Sequence, residues 1–139
     1  MRLNNNNIKE RIRDTLMDTL KIRFIETDDP YSMEASMLVG VHNTQTMQVL
    51  HGGATIALAE SVAGVGSNLL CAEDQACYGI QVSANHISMA RMGDTVKAKG
   101  TILHKGHSTH IWNIDVVSET TGKLISSVRI TNSVIKRHK

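Results

Sequence analysis

The chain has 139 residues, 41% of them hydrophobic and 3% aromatic, and its formal net charge is +2. This length fits a single domain over residues 1–139, and the near-neutral charge argues against a nucleic-acid or membrane-surface partner. No stretch is long and apolar enough to span a membrane, and the polar start lacks the apolar core of a secretory signal, so we expect a cytoplasmic protein. A small core with few aromatic side chains also favours burial of further surface between copies of the chain.

The first element in chain order is an N-terminal helical extension, residues 1–20, in which apolar residues recur every four positions. These residues are Ile8, Ile12, Leu16 and Leu20. Two short strands are predicted next, at residues 22–26 and 32–39, and the turn between them holds Pro30, the only proline of the chain.

The next element is a long helix, predicted from residue 53 to about residue 70, whose only charged residue is Glu60. Because this helix is apolar on nearly every side, we expect it to be buried on every side. It begins at the turn His51-Gly52-Gly53, where unpaired backbone N–H groups and the positive end of the helix dipole suit an oxyanion. A carboxylate on an apolar helix is costly unless it has a partner or a function. Together these features indicate chemistry on a polarised carbonyl group.

The remainder of the chain has the alternating pattern of β-strands. Four strands are predicted, at residues 77–86, 95–103, 110–117 and 124–135, and glycine-containing turns separate them. The order of all the elements predicts an α+β fold in which an antiparallel β-sheet wraps around one long central helix.

The spacing of Gly52 and Glu60 indicates how many subunits form the site. Eight residues of regular helix separate the two by about 12 Å. A reacting carbonyl must lie about 3 Å from both the N–H donor and the attacking group. One chain cannot close this distance along a regular helix, so we expect Gly52 of one subunit to act with Glu60 of another.

The segment from Leu50 to Ser61 resembles the signature of hot-dog-fold acyl-CoA thioesterases of the 4-hydroxybenzoyl-CoA type, in the PaaI-like superfamily. The resemblance covers about residues 37–135 and is closest to the branch that includes 1,4-dihydroxy-2-naphthoyl-CoA hydrolase. The phenylacetyl-CoA branch usually has Asp where this chain has Glu60. Supporting stretches are Ser83 to His86, Leu103 to His107 and Ile111 to Ile114.

The resemblance implies hydrolysis of a thioester, with an aromatic acyl-CoA as substrate and no cofactor beyond that substrate. It also implies a homo-oligomer with active sites at the dimer interface, at least a dimer and commonly a tetramer. Gly52 corresponds to the glycine whose N–H polarises the thioester carbonyl. Glu60 corresponds to the catalytic carboxylate, which acts either as a nucleophile or as the base for a water. Gln45 and His51 correspond to residues that align the thioester.

The chain departs from the family four residues after the carboxylate. Many relatives have Ser or Thr there, which helps to place the water, but this chain has Gly64. Ser61 or Ser67 would substitute only if its side chain faced the same side of the helix.

Further residues suit the phosphates and polar groups of CoA, because Lys, Arg, His, Ser and backbone N–H groups all bind phosphate oxygens. The candidates are Gly53, Ser61, His86, Ser88, Arg91, Lys105, Gly106, His107 and Ser108. The alternative for residues 105–108 is a solvated hairpin turn. His104, His107 and His110 are regularly spaced, but no Cys or carboxylate has the spacing of a metal ligand, so no metal site is expected.

Each catalytic candidate also has a purely structural interpretation. Glu60 could be bound by a neighbouring subunit, the two glycines could serve a tight turn, His51 could cap the helix, and Gln45 could be a solvated loop residue. For the whole protein, the alternative to an enzyme is a non-catalytic hot-dog protein that binds acyl-CoA as a sensor. A dehydratase or hydratase fits poorly, because those enzymes use a different spacing of His and carboxylate.

Overall fold

One antiparallel sheet and one long helix make up most of the structure, a computed structural model that describes residues 3–137. The elements are α1 Ile8–Arg11, α2 Leu16–Thr19, β1 Arg23–Ile25, β2 Ser32–Leu38, α3 Gly52–Leu70, β3 Gln75–His86, β4 Thr95–Lys105, β5 Thr109–Ser118 and β6 Leu124–Lys136. The strand order is β1-β2-β4-β5-β6-β3, and α3 contacts β2 to β6. This arrangement confirms the predicted α+β architecture. Residues 1 and 2 of the predicted extension lie outside the described residues.

The N-terminal segment is not the single helix that its apolar spacing predicts. It forms two four-residue helices, α1 and α2, with a break at Asp14. Asp14 has a left-handed backbone with φ of 62°, a conformation that Asp tolerates better than most residues, and the Asp18 carboxylate accepts its N–H at 3.0 Å. After this break Leu16 is 63% exposed, whereas Leu20 is buried.

Helix α3 buries only one side against the sheet, so the prediction of burial on every side is wrong for the single chain. Leu58 and Val62 are fully buried on the sheet side. A Cβ on Gly66 would lie 2.6 Å from the Trp112 ring, so glycine is needed for this close approach of helix and strand. The open side, which the sheet of one chain does not cover, carries Gly53, Ile56, Ala57, Glu60, Ser61, Gly64 and Asn68.

A buried polar cluster joins α3 to β5 and β6. The Ser67 Oγ lies 2.8 Å from His110 Nδ1, 2.8 Å from Trp112 Nε1 and 2.9 Å from Asn132 Nδ2. The nitrogens of Trp112 and Asn132 only donate, so they occupy the acceptor sites of the hydroxyl, and Ser67 gives its own proton to His110 Nδ1. This arrangement requires a neutral His110 with its remaining proton on Nε2.

Acidification is therefore expected to destabilise the fold through His110. Burial, followed by the nearby charges of Lys105 and His104, lowers the pKa of His110 from its usual 6.5. Because the unfolded chain binds this proton more readily than the folded chain, the contribution of neutral His110 to the free energy of unfolding is complete above pH 6.5. This contribution is lost as the pH falls through the pKa of His110 in the folded state. Urea unfolding at a series of pH values measures this fall.

The matched control for this prediction is His110→Asn, whose amide oxygen can accept the Ser67 proton without titrating. We expect a shallower loss of stability at acid pH in this variant than in the wild type. An equal slope of unfolding free energy against pH in the two proteins would show that His110 is not responsible.

Candidate active site

Helix α3 begins with a backbone N–H that is free to bind a ligand. His51 precedes the helix, and its ring Nδ1 accepts the Gly53 N–H at 2.8 Å. The Gly52 N–H has no acceptor among residues 3–137. Because this N–H lies at the positive end of the helix dipole, it can stabilise an oxyanion. The ring of His51 thus caps the helix in the single chain.

A buried asparagine that is not among the residues predicted from the sequence fixes the approach to this helix. The Asn43 side chain accepts the Gly40 N–H and donates to the Leu38 carbonyl, both at 2.9 Å. The Asn43 carbonyl accepts the His51 N–H at 2.9 Å. These bonds tie the end of β2 to the start of α3. A single asparagine in a polar loop gives no sequence signal for such a role.

Gln45 lies in the same loop, with its side chain partly engaged. The side-chain oxygen of Gln45 accepts the Met47 N–H. The backbone N–H of Gln45 donates to the Val49 carbonyl at 2.9 Å. Pairing of Thr44 with Leu50 holds this loop beside the start of α3. The side-chain NH2 of Gln45 makes no hydrogen bond within the described part of the chain, so it is available to a ligand.

Strand β3 brings His86 to the start of the same helix. The His86 Nε2 lies 2.8 Å from the point where a Cβ on Gly52 would stand, so the ring lies directly against this glycine. The His86 Nδ1 lies 2.7 Å from the Oγ of Ser126, which is buried on β6. The sequence predicts a role for His86 but gives no signal for Ser126, which is 40 residues away in the chain and reaches His86 only through strand pairing.

Glu60 lies on the open side of α3. The helix is unbroken from Gly52 to Leu70, so Gly52 and Glu60 are separated by about 12 Å along its axis. Glu60 is exposed and makes no hydrogen bond or ion pair with any other described residue. Its Oε1 lies 3.3 Å from the position of a Cβ on Gly79, so the carboxylate approaches β3.

A groove of about 410 Å³ runs beside Glu60, between α3 and the N-terminal segment. A Cβ on Gly64 would meet nothing within 4 Å, so the groove is open at this position. The lining is mainly aliphatic and consists of Leu3, Thr15, Leu16, Met17, Ala57, Glu60, Ser61, Gly64, Val65 and Asn68. An apolar acyl group fits such a groove, with the carboxylate at its wall.

The two serines that could replace a water-placing residue at position 64 face different sides of α3. Ser61 lines the groove beside Glu60, and its hydroxyl donates to the Ala57 carbonyl at 2.7 Å. Ser67 is buried on the sheet side, where the polar cluster uses its whole hydrogen-bonding capacity. Ser61 is therefore the serine that the fold places next to Glu60.

Besides Gly53 and His86, two further predicted CoA contacts lie near the start of α3. Ser88 and Arg91 follow β3 and share a groove of about 630 Å³ with Asp94 and Lys123. The backbone of Arg91 pairs with Val49, which connects this groove to the loop that precedes α3. Two cationic side chains in an open groove suit phosphate oxygens.

The hairpin of residues 105–108 lies at the opposite end of the sheet. Thr109, the residue after the hairpin, pairs with Ser133 of β6, and Ser133 pairs in turn with Tyr78 of β3. Tyr78 and His86 are separated by about 25 Å of strand. One chain therefore does not bring the hairpin to the start of α3.

Among residues 3–137, no three His, Cys, Asp or Glu side chains come together as metal ligands. Within the same residues, no helix is long and apolar enough to cross a membrane. Cys71 and Cys77 are both buried and form no disulfide.

The fold is that of the hot-dog thioesterases. Residues 47–125, more than half of the chain, match the family model described as thioesterase superfamily. The 1,4-dihydroxy-2-naphthoyl-CoA hydrolase of Escherichia coli is 35% identical over 116 residues, which are 84% of this chain and 83% of the relative. A proofreading thioesterase of Cronobacter turicensis is 30% identical over 121 residues, which are 87% and 86% of the two chains.

A solved structure agrees with these sequence relationships. A mutant thioesterase from Pseudomonas aeruginosa superposes with a TM-score of 0.91 at 31% identity, covering 99% of this chain and 97% of that one. The chain therefore belongs to the thioesterase superfamily. This membership confirms the resemblance, the hot-dog fold and the enzyme class that the sequence predicts.

Proposed function

We propose that this protein hydrolyses an acyl-CoA thioester with a compact aromatic acyl group, at a site shared between two copies of the chain. The observation that carries the proposal is the pair of unpartnered groups on one helix, the Gly52 N–H at its start and the Glu60 carboxylate on its open side. Similarity to proteins named 1,4-dihydroxy-2-naphthoyl-CoA hydrolase supports the aromatic acyl group.

In the proposed reaction the two groups act on opposite ends of the carbonyl bond. The Gly52 N–H and the helix dipole stabilise the negative charge that develops on the thioester oxygen. Glu60 acts at the carbonyl carbon in one of two ways. It attacks as a nucleophile, giving an anhydride that water hydrolyses, or it takes a proton from the attacking water. In both routes the C–S bond breaks and CoA leaves as its thiolate.

Two features support a site shared between copies. The first is the separation of Gly52 and Glu60, about 12 Å along one rigid helix. The second is β3, an edge strand of 12 residues on which Tyr78 and Ile80 are 60% and 64% exposed. A long edge strand that exposes apolar side chains is a template for pairing with another chain. Since Glu60 approaches β3 at Gly79, a second copy on this edge would also cover the open side of α3.

We therefore propose a homodimer as the minimal active unit and, following the family resemblance, a tetramer of two dimers. Ser88 and Arg91 and the hairpin of residues 105–108 remain proposed CoA contacts. Because they lie at opposite ends of the sheet, they would serve one CoA molecule only from different copies. Gln45 is proposed to align the thioester through its free NH2 group.

Thiol release from a panel of aromatic and aliphatic acyl-CoAs tests this function. We expect release with an aromatic acyl-CoA and a loss of kcat by about 10²-fold or more in Glu60→Gln, which keeps the shape of the side chain but cannot act as base or nucleophile. The control is Glu119→Gln, an exposed carboxylate in the β5–β6 turn, whose kcat should equal that of the wild type. No release from any acyl-CoA, combined with retained CoA binding, would contradict an enzyme and favour the sensor.

The groove beside Glu60 gives a test of the acyl specificity. Because a Cβ at position 64 meets nothing within 4 Å in the single chain, Gly64→Val should fold normally yet fill the groove, and size-exclusion chromatography shows whether the proposed dimer is kept. We expect kcat/KM for an aromatic acyl-CoA to fall by about tenfold or more while that for acetyl-CoA changes little. The smaller Gly64→Ala should have an intermediate effect and raise helix stability by up to about 1 kcal/mol. Equal losses for both substrates would place the acyl group elsewhere.

A further inference from the structure

We propose that His86 is a second hydrogen-bond donor to the thioester carbonyl, acting beside the Gly52 N–H. The inference rests on the proposed function, since it assigns a residue to the same carbonyl site. It comes from a continuous set of contacts, in which a buried serine holds the imidazole and the imidazole lies against the glycine at the helix start.

The position of the ring allows one oxygen atom to meet both donors. The His86 Nε2 lies 2.8 Å from the position of a Cβ on Gly52, and a carbon–carbon bond is about 1.5 Å long, so Nε2 is within about 4.5 Å of the Gly52 Cα. An oxyanion accepts hydrogen bonds from donors about 3 Å away. A carbonyl oxygen bound to the Gly52 N–H is thus within reach of the imidazole.

The hydrogen bond to Ser126 determines which ring nitrogen carries the proton. Ser126 has no exposed surface, and His86 Nδ1 is the one side-chain partner of its hydroxyl among the described residues. A buried hydroxyl proton without an acceptor is costly, so Ser126 donates to Nδ1. The neutral imidazole then carries its own proton on Nε2, the nitrogen that faces Gly52.

The same contacts favour a donor over a base. No carboxylate contacts His86 among the described residues, so the imidazole has no anionic partner of the kind that orients a catalytic base. His86 keeps its proton at Nε2 throughout and no bond to it breaks. Its contribution is stabilisation of charge on the oxygen, and removal of one such donor typically lowers kcat by about 10² to 10³-fold.

Two substitutions at position 86 separate this role from others. Glutamine places an NH2 donor near the position of Nε2, whereas asparagine places its polar group near Nδ1 and leaves the oxygen site empty. We expect kcat on an aromatic acyl-CoA to fall by about 10²-fold in His86→Asn and by less than about tenfold in His86→Gln, with KM nearly constant in both. Equal kcat values in the two variants, or a change confined to KM, would overturn the proposal in favour of a structural role or a CoA contact.

Ser126→Ala tests the positioning of the ring. It should lower kcat less than His86→Asn does, because the imidazole remains but is no longer oriented. The control is Ser127→Ala, which changes the neighbouring hydroxyl on the partly exposed face of β6 and should leave kcat unchanged. Thermal melting of each variant shows whether a loss of kcat reflects loss of fold, and a wild-type kcat in a folded Ser126→Ala would overturn the positioning role.

An infrared measurement gives a readout that does not depend on turnover. The carbonyl stretch of ¹³C-labelled 4-hydroxybenzoyl-CoA bound to Glu60→Gln should lie at lower frequency than in water, and the lowering should be smaller in Glu60→Gln with His86→Asn. Equal frequencies in the two proteins would overturn the donor role. Failure of the wild type to hydrolyse any acyl-CoA would instead contradict the proposed function, while the infrared comparison would still decide the role of His86.

Discussion

Helix α3 separates Gly52 from Glu60 by about 12 Å along its axis, and the rest of the fold keeps this separation fixed. The polar cluster around Ser67 and the close contact between Gly66 and Trp112 attach the second half of the helix to the sheet. A helix anchored in this way does not bend to bring its start to its middle. The chemistry that either group could perform therefore depends on what approaches the open side of the helix.

The two sides of α3 have different composition because they meet different surroundings. The sheet side has Leu and Val side chains and one polar cluster in which every hydrogen bond of Ser67 is made. The open side has small residues and the lone carboxylate, next to an edge strand that exposes Tyr78 and Ile80. A carboxylate without a partner, beside an apolar edge, is consistent with a surface that is completed by a second copy and a substrate.

The start of the helix is assembled from four parts of the chain that are distant in sequence. Asn43 ties the preceding loop to His51, His51 caps the helix, and His86 and Ser126 come from paired strands. In the proposed site, the Gly52 N–H and the His86 imidazole thereby meet the substrate oxygen. Preorganised donors of this kind stabilise a developing charge without reorganising during the reaction.

Local periodicity in the sequence was sufficient to predict the long helix, the strands and the antiparallel sheet, because each of these elements is amphipathic or apolar along its own length. The break at Asp14 was not predictable, since it depends on one left-handed residue and its bond to Asp18. The contact of His86 with Ser126 also had no local signal, because it spans 40 residues and follows from the register of β3 and β6. Side-chain chemistry alone assigned both the 105–108 hairpin and the residues Ser88 and Arg91 to CoA, whereas the register of the strands puts the two at opposite ends of the sheet of one chain.

Mixing two inactive variants tests the shared site most directly. Gly52→Pro removes the N–H at the first helical position, where proline fits the backbone, and its Cβ also displaces the ring of His86, so both donors of that chain are lost. Glu60→Gln removes the carboxylate. If each site joins Gly52 of one copy to Glu60 of another, hybrids formed by refolding the two variants together contain one intact site and recover a substantial part of the wild-type thioesterase activity. If both groups act within one chain, every site keeps a defect, and the hybrids would be as inactive as the separate variants.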